Sequence, residues 1–306
     1  MSTRRSFLGK LALLGAGAGG LWLMRDRLMW PEPMLAVGGD SSGWLPFASR
    51  RQPLVSVRVG VGGRTVTALI DSGAEFSAID RELAQAMGAV ENVTAPIVAY
   101  GVGGHGQVAR TSTFDVQIGG LVVRQLRAAV LELGLIAEGG PHATPLILGQ
   151  EVLRAAIADI DFPNRRVRLV RREAFDLPPG AQVAPVQADG RALAARVLVE
   201  GTEIEVLVDT GASAALSLSA AVAEPLGLLD RPSRPGQALV LGGVAPGRIV
   251  RVERMVFAGQ VLEDEEVHIF QPQRLPGFPK GLLGYGMLHR FRTILDHRRG
   301  AMHLIR

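Results

Sequence analysis

Apolar residues alternate with polar or small ones at Val55, Val57 and Val59, the two-residue period of a strand with one buried face. A short turn follows, and then the pattern changes. Ala68-Leu69-Ile70 is a continuous apolar run, as expected of a strand buried on both faces, and it ends at Asp71. The same progression recurs in residues 195–220: an alternating strand, a turn, the run Val206-Leu207-Val208, and Asp209. Each Asp is therefore expected at the end of a buried strand. Downstream, Ile147-Leu148-Gly149 is matched by Leu282-Leu283-Gly284. Each leads into a short helical stretch, Gln150–Ala155 or Tyr285–Arg290. Each then reaches a strand pair, Ala158–Asp161 with Val167–Val170 or Arg292–Leu295 with Ala301–Ile305. The landmarks keep a nearly constant separation, from 71 to 209, 149 to 284 and 161 to 296. That spacing indicates duplication of a domain-sized unit, not a solenoid of short repeats.

Between the landmarks each copy carries a Gly-rich segment that reads as a hairpin turn. The first is Tyr100-Gly101-Val102-Gly103-Gly104-His105-Gly106 and the second is Leu241-Gly242-Gly243-Val244-Ala245-Pro246-Gly247. Pro and Gly in Glu173–Gly180 mark a linker. The expected organisation is a leader (1–30), a tether (31–49), a first lobe (50–172), a linker (173–182) and a second lobe (183–306).

Charge separates the leader from the body. The chain of 306 residues has 33 basic and 29 acidic side chains, a formal charge of +4. Residues 1–30 hold Arg4, Arg5, Lys10, Arg25 and Arg27 against Asp26 alone, so the remainder is neutral. A neutral body whose only Trp is Trp44 offers neither the electrostatics nor the stacking surface of a nucleic-acid binder. With no cysteine, disulfides, thiolate metal sites and Cys nucleophiles are excluded. The 14 residues Leu11–Met24 are uncharged and largely apolar, short of the roughly 20 needed to span a bilayer. A charged start followed by such a run has the layout of a signal peptide. Thr3-Arg4-Arg5-Ser6-Phe7-Leu8 resembles a bacterial twin-arginine signal, which implies a periplasmic or exported protein. A clean small-x-small cleavage site is missing, so the expectation includes an uncleaved leader anchoring the chain to the inner membrane. Gly15, Gly17 and Gly20 spell G-x-G-x-x-G, but no strand precedes them and dinucleotide binding is not expected.

The paired Asp-Ser/Thr-Gly-Ala segments carry the chemistry. Attack by water on an amide needs a base for the water's proton and an acid for the carbonyl or departing nitrogen. Two carboxylates facing each other across a symmetry axis supply both, because close together they share one proton. Gly73 and Gly211 are expected to allow the tight turn that aims each Asp inward. Ser72 and Thr210 offer hydroxyls to the opposite loop's backbone. Gly149 and Gly284 are bare positions where the chain passes close behind those loops.

On these residues the chain resembles the retropepsin-like aspartic peptidases, with two lobes fused in one chain. The resemblance covers residues 50–306. It rests on Asp71-Ser72-Gly73-Ala74, Asp209-Thr210-Gly211-Ala212, Ile147-Leu148-Gly149 and Leu282-Leu283-Gly284. It implies an all-β, bilobal, pseudo-two-fold fold of two β-barrel lobes with short helices, and a cleft for a protein or peptide substrate between them. It implies catalytic Asp71 and Asp209 and no cofactor or metal. It also implies hairpin flaps, with Tyr100, Gly101, Gly103, Gly104, Gly242 and Gly243 as flap residues. Viral relatives use one unit and dimerise; with both units present, an active monomer is expected. The third residue after each Asp is Ala74 or Ala212, where pepsin-like enzymes usually carry a hydroxyl. Without that hydroxyl the charged carboxylate is less favoured, and an optimum between about pH 4 and 6.5 is expected. Two other readings compete. One is a pseudo-protease that grips extended peptides without cutting. The other is a metallohydrolase, against which His105, His142, His268, His289, His297 and His303 show no recognised ligand spacing. The acidic run Glu263-Asp264-Glu265-Glu266 reads as a solvated loop.

Overall fold

A computed structural model describes residues 22–23, 34–37, 39–49, 53–89, 91–100, 106–138, 143–190, 192–240, 243–271 and 279–306. It is built almost entirely of strands, with a few helices of four to six residues. The alternating pattern at Val55, Val57 and Val59 becomes strand Ser56–Val61, whose turn at Gly62-Gly63 returns it as Arg64–Ile70. Both turn glycines have positive φ, 54° and 72°, which favours residues without a Cβ.

Each lobe closes on itself. In the first, Ser56–Val61 pairs with Arg64–Ile70, which pairs in parallel with Leu146–Leu148. The circuit continues through Ala78–Asp80, Leu121–Leu131 and Gly106–Ile118, and returns to Ser56–Val61. The second lobe repeats it through Ala192–Val199, Thr202–Val208, Gly281–Leu283, Leu216–Ser219, Gln260–Phe270 and Gly243–Phe257. Six-stranded closure removes the open edges of these strands and gives each lobe an enclosed core. The all-β, two-lobed expectation is met.

A six-stranded sheet joins the lobes. Its centre is the antiparallel pairing of Ile157–Asp161 with Arg292–Asp296, one strand from each copy. Arg166–Val170 and Ala301–Ile305 flank them, and Leu45–Pro46 and Gln182–Val183 complete the edges. Ala158, Ile160, Val167, Leu169, Leu295, Met302 and Leu304 face inward, into a core cluster that runs through both lobes.

The second Gly-rich segment belongs to a hairpin: Gly243–Gly247 opens strand Gly243–Phe257 and pairs with Gly236–Val240. One local expectation is corrected. The acidic run Glu263–Glu266 lies in strand Gln260–Phe270, where Arg251 meets Asp264 at 2.6 Å and Arg234 meets Glu266 at 2.6 Å. Cross-strand arginines offset the like-charge repulsion that had suggested a loop.

Of the leader, only Trp22–Leu23 is described, as a short strand beside Ala99 and Tyr100. The twin-arginine stretch lies outside the described residues. Among the described residues no helix is long and apolar enough to cross a membrane.

Candidate active site

Parallel pairing delivers each Asp to the same place. Asp71 donates its backbone N–H to the Leu148 carbonyl at 3.0 Å, and Asp209 donates its own to the Leu283 carbonyl at 2.9 Å. The chain then turns sharply. Gly73 and Ala74 donate to Asp71 Oδ1 at 2.8 and 3.1 Å, and Gly211 donates to Asp209 Oδ1 at 2.8 Å. These bonds fix each carboxyl's rotation and leave its second oxygen, Oδ2, buried with no such backbone donor. The two carboxyls lie against each other, both fully buried.

The hydroxyls of the neighbouring residues lock the two loops together. Ser72 Oγ donates to the Val208 carbonyl at 2.7 Å and accepts from the Thr210 N–H at 3.0 Å. Thr210 Oγ1 donates to the Ile70 carbonyl at 2.7 Å and accepts from the Ser72 N–H at 3.0 Å. Four reciprocal hydrogen bonds thus cross the lobe boundary within one residue of the carboxyls. All the groups are buried, so losing either hydroxyl leaves backbone polar atoms unpaired.

Gly73 and Gly211 also meet a steric need that the sequence did not show. Neither has a positive φ. A Cβ on Gly73 would sit 2.5 Å from Asp209 Cγ, and one on Gly211 would sit 2.6 Å from Asp71 Oδ2. Each is therefore Gly because the other lobe's carboxyl occupies its side-chain space. Gly149 and Gly284 are close-approach positions. A Cβ on Gly149 would lie 2.5 Å from the Phe76 carbonyl carbon, and one on Gly284 would lie 2.5 Å from the Ala212 and Ala214 oxygens.

Burial shapes the acidity of the pair. Desolvation, followed by the nearby Asp209 charge, pushes Asp71 well above the usual carboxylate range. Desolvation also pushes Asp209 up, to about 6, against hydrogen bonds from Asp71 and the Gly211 and Ala212 backbone that lower it. The pair titrates as a unit and retains a proton beyond the pH at which a solvated carboxyl loses its own.

The flap residues are placed only in part. Tyr100 ends strand Glu91–Tyr100 and Gly243 begins strand Gly243–Phe257. Gly101, Gly103, Gly104 and Gly242 lie outside the described residues. His105 and His142 also lie outside them. His297 is buried, and burial, aided by Arg154, holds it down to about 3.

Two residues escaped the sequence reading. Gln150 Nε2 donates to the Ser72 carbonyl at 2.8 Å, and Glu151 Oε1 accepts from the Ser77 N–H at 2.7 Å. Ser77 Oγ in turn accepts from the Gly149 N–H at 3.0 Å. These bonds brace the first loop from beneath. The second copy has Tyr285 and Gly286 after its Gly284, and there Tyr285 packs edge-on to Phe162, with centroids 5.9 Å apart. The visible signal was this Gln-Glu against Tyr-Gly difference between otherwise matching segments.

No curated protein matches the chain. A crystal structure of a retropepsin-like aspartic protease from Rickettsia conorii is similar at 23% identity, covering 40% of this chain and 92% of that one, with a TM-score of 0.32. A family model described as aspartyl protease matches twice, over residues 55–152 and 195–287, one match in each lobe. Those matches span well over half the sequence, and with the paired Asp loops between the lobes they show that the chain belongs to the aspartyl protease family.

Proposed function

We propose that the protein is an aspartic endopeptidase that cuts extended segments of exported or membrane-attached proteins, with Asp71 and Asp209 as its catalytic pair. The observation that carries this reading is the pair of buried, adjoining carboxyls held by four reciprocal hydrogen bonds between lobes.

The chemistry follows from one shared proton. The ionised carboxyl takes a proton from water as the water oxygen bonds to the peptide carbonyl carbon. The protonated carboxyl gives its proton to the carbonyl oxygen, forming a tetrahedral diol. Collapse of the diol breaks the C–N bond, and a proton passes to the departing nitrogen. The carboxyls return to the one-proton state. Because both Asp residues lie on one chain, the working unit is a monomer. The leader's charge layout supports action in the periplasm or beyond, free or tethered to the inner membrane.

The test is cleavage of a peptide library by the purified chain from pH 3 to 8, with and without an aspartic-peptidase inhibitor. Inhibitor-sensitive cutting is expected, lost by at least about 10³-fold in both Asp71→Asn and Asp209→Asn. Cleavage that survives both substitutions overturns the pair as catalyst. Peptide binding without cutting at any pH favours a pseudo-protease.

A further inference from the structure

We propose that the outward face of the sheet joining the lobes docks on a membrane surface of anionic phospholipid. This contact is separate from the leader and from the catalytic pair.

Register defines the face. Side chains directly opposite each other in an antiparallel pair share one side of a sheet. Val183 stands opposite His303, His303 opposite Ile294, Ile294 opposite Asp159, and Asp159 opposite Arg168. A second row on the same side runs through Arg292, Asp161 and Arg166. Ala158, Ile160, Val167 and Leu169 point the other way, into the core. Ile70 and Val208, each next to a catalytic Asp, belong to that core, so the carboxyls lie behind the sheet. Strands Arg166–Val170 and Gln182–Val183 lie on opposite sides of the sheet's central pair, so the linker between them must cross it. Phe175 lies 5.8 Å from the Arg168 guanidinium, which puts that crossing on the outward face.

The face combines cations with apolar groups. Residues 154–176 and 290–299, which supply its central strands and their flanks, hold ten arginines and five acidic residues. Three of those acids, Asp159, Asp161 and Asp296, are buried in ion pairs with arginines. Arg298 and Arg299 are exposed beside Asp296 and Arg172. Residues 31–306 are neutral as a whole, so the rest of the body is acidic by the same margin. A body polarised in this way turns its basic side to an anionic surface. On that side Leu177 of the linker is 47% exposed, and Val183 at 77% is the most exposed large apolar side chain among the described residues. Trp44 is half-buried between them and the arginines. At a lipid interface the guanidiniums meet phosphates and the apolar groups enter the headgroup boundary. A purely charged partner would leave Leu177 and Val183 in water.

The experiment is co-sedimentation of the full chain with vesicles of phosphatidylcholine alone or mixed with phosphatidylglycerol. The leader is itself basic, so it stays intact in every variant and only the body changes. Tighter binding to the mixed vesicles is expected. Arg298→Ala with Arg299→Ala should lower it at least about ten-fold, and Leu177→Asn with Val183→Asn about five-fold. The charge-matched control, Arg196→Ala with Arg254→Ala on exposed strands of the second lobe, should bind as the wild type does. If the arginine variant loses the wild-type urea midpoint, Arg299→Ala alone replaces it, with a loss of about three-fold expected. Wild-type binding by the arginine or the apolar variant overturns the proposal, as does an equal loss in the control or equal binding to both vesicles. Absence of vesicle binding also overturns it. Retention on immobilised polyglutamate, lost in the arginine variant, would then assign the face to an acidic protein.

Discussion

At the scale of the residue, the two aspartates set a conflict between activity and stability. Their folded-state pKa values are raised, Asp71 by burial and the Asp209 charge, Asp209 by burial to about 6. The native state therefore binds protons more tightly than the unfolded chain, whose carboxyls titrate near about 3.9. The linked stability is fully present below that unfolded value and is lost as pH rises through the folded one. Unfolding by urea should show the wild-type chain losing on the order of 2 kcal/mol from this pair between pH 4 and 7. Asp209→Asn should flatten that slope and be the more stable protein at pH 7 while inactive. A variant with the wild-type slope would show that the pair is not the titrating element. The same shift keeps the one-proton form toward neutral pH, and an optimum between about pH 4 and 6.5 is expected. A peak below pH 3 would contradict it.

At the scale of the element, the two Asp loops act as one interlocked unit. Thr210→Val keeps the side chain's shape but deletes its bonds to the Ile70 carbonyl and Ser72 N–H. Chemical denaturation should report a loss of about 2–3 kcal/mol, since two buried backbone groups lose partners. The cost should be absent in a variant where packing alone holds the loops. Beneath the first loop, Gln150→Leu removes the donor to the Ser72 carbonyl. Its expected signature is a fall in kcat with KM little changed, because it orients the Asp71 loop without facing the cleft; a change in KM alone would rule that out. Alternation and apolar runs made the Asp-bearing strands legible from sequence. Gln150 and Glu151 were not legible, because a polar residue after Gly149 reads as an exposed helix start until its buried partners are known.

At the scale of the whole molecule, the lobes are held together by a sheet and by charge. Asp159, fully buried, accepts from Arg168 of its own lobe at 2.8 Å and from Arg292 of the other lobe at 2.8 and 2.7 Å. Arg166, Arg168 and Arg292 also lie over the Trp44 ring, 4.4, 4.8 and 5.2 Å from its centre. Arg172 at the end of the first lobe reaches Asp296 at 2.8 Å. Asp159→Asn strips the charge from a buried hub contacted by both lobes. A loss on the order of 3 kcal/mol is expected, with a broader unfolding transition as the lobes uncouple. An unchanged single transition would place the coupling in the sheet alone.

The sequence by itself determined the duplication, the strands that end in Asp71 and Asp209, and the glycines the loops require. Periodicity and repeated spacing are local properties of the chain, and they survive without coordinates. The tertiary structure decided what depends on distant residues meeting. It gave Gly73 and Gly211 their reason, a carboxyl from the other lobe 2.5–2.6 Å from where a Cβ would stand. It turned the acidic run into a strand by supplying arginines across the sheet. It also made two matching copies unequal, because Gln150 and Glu151 find buried partners beneath the first loop while Tyr285 of the second packs on Phe162. Burial and desolvation are properties of the assembled fold, so the lowered acidity of the pair belongs to the structure as well.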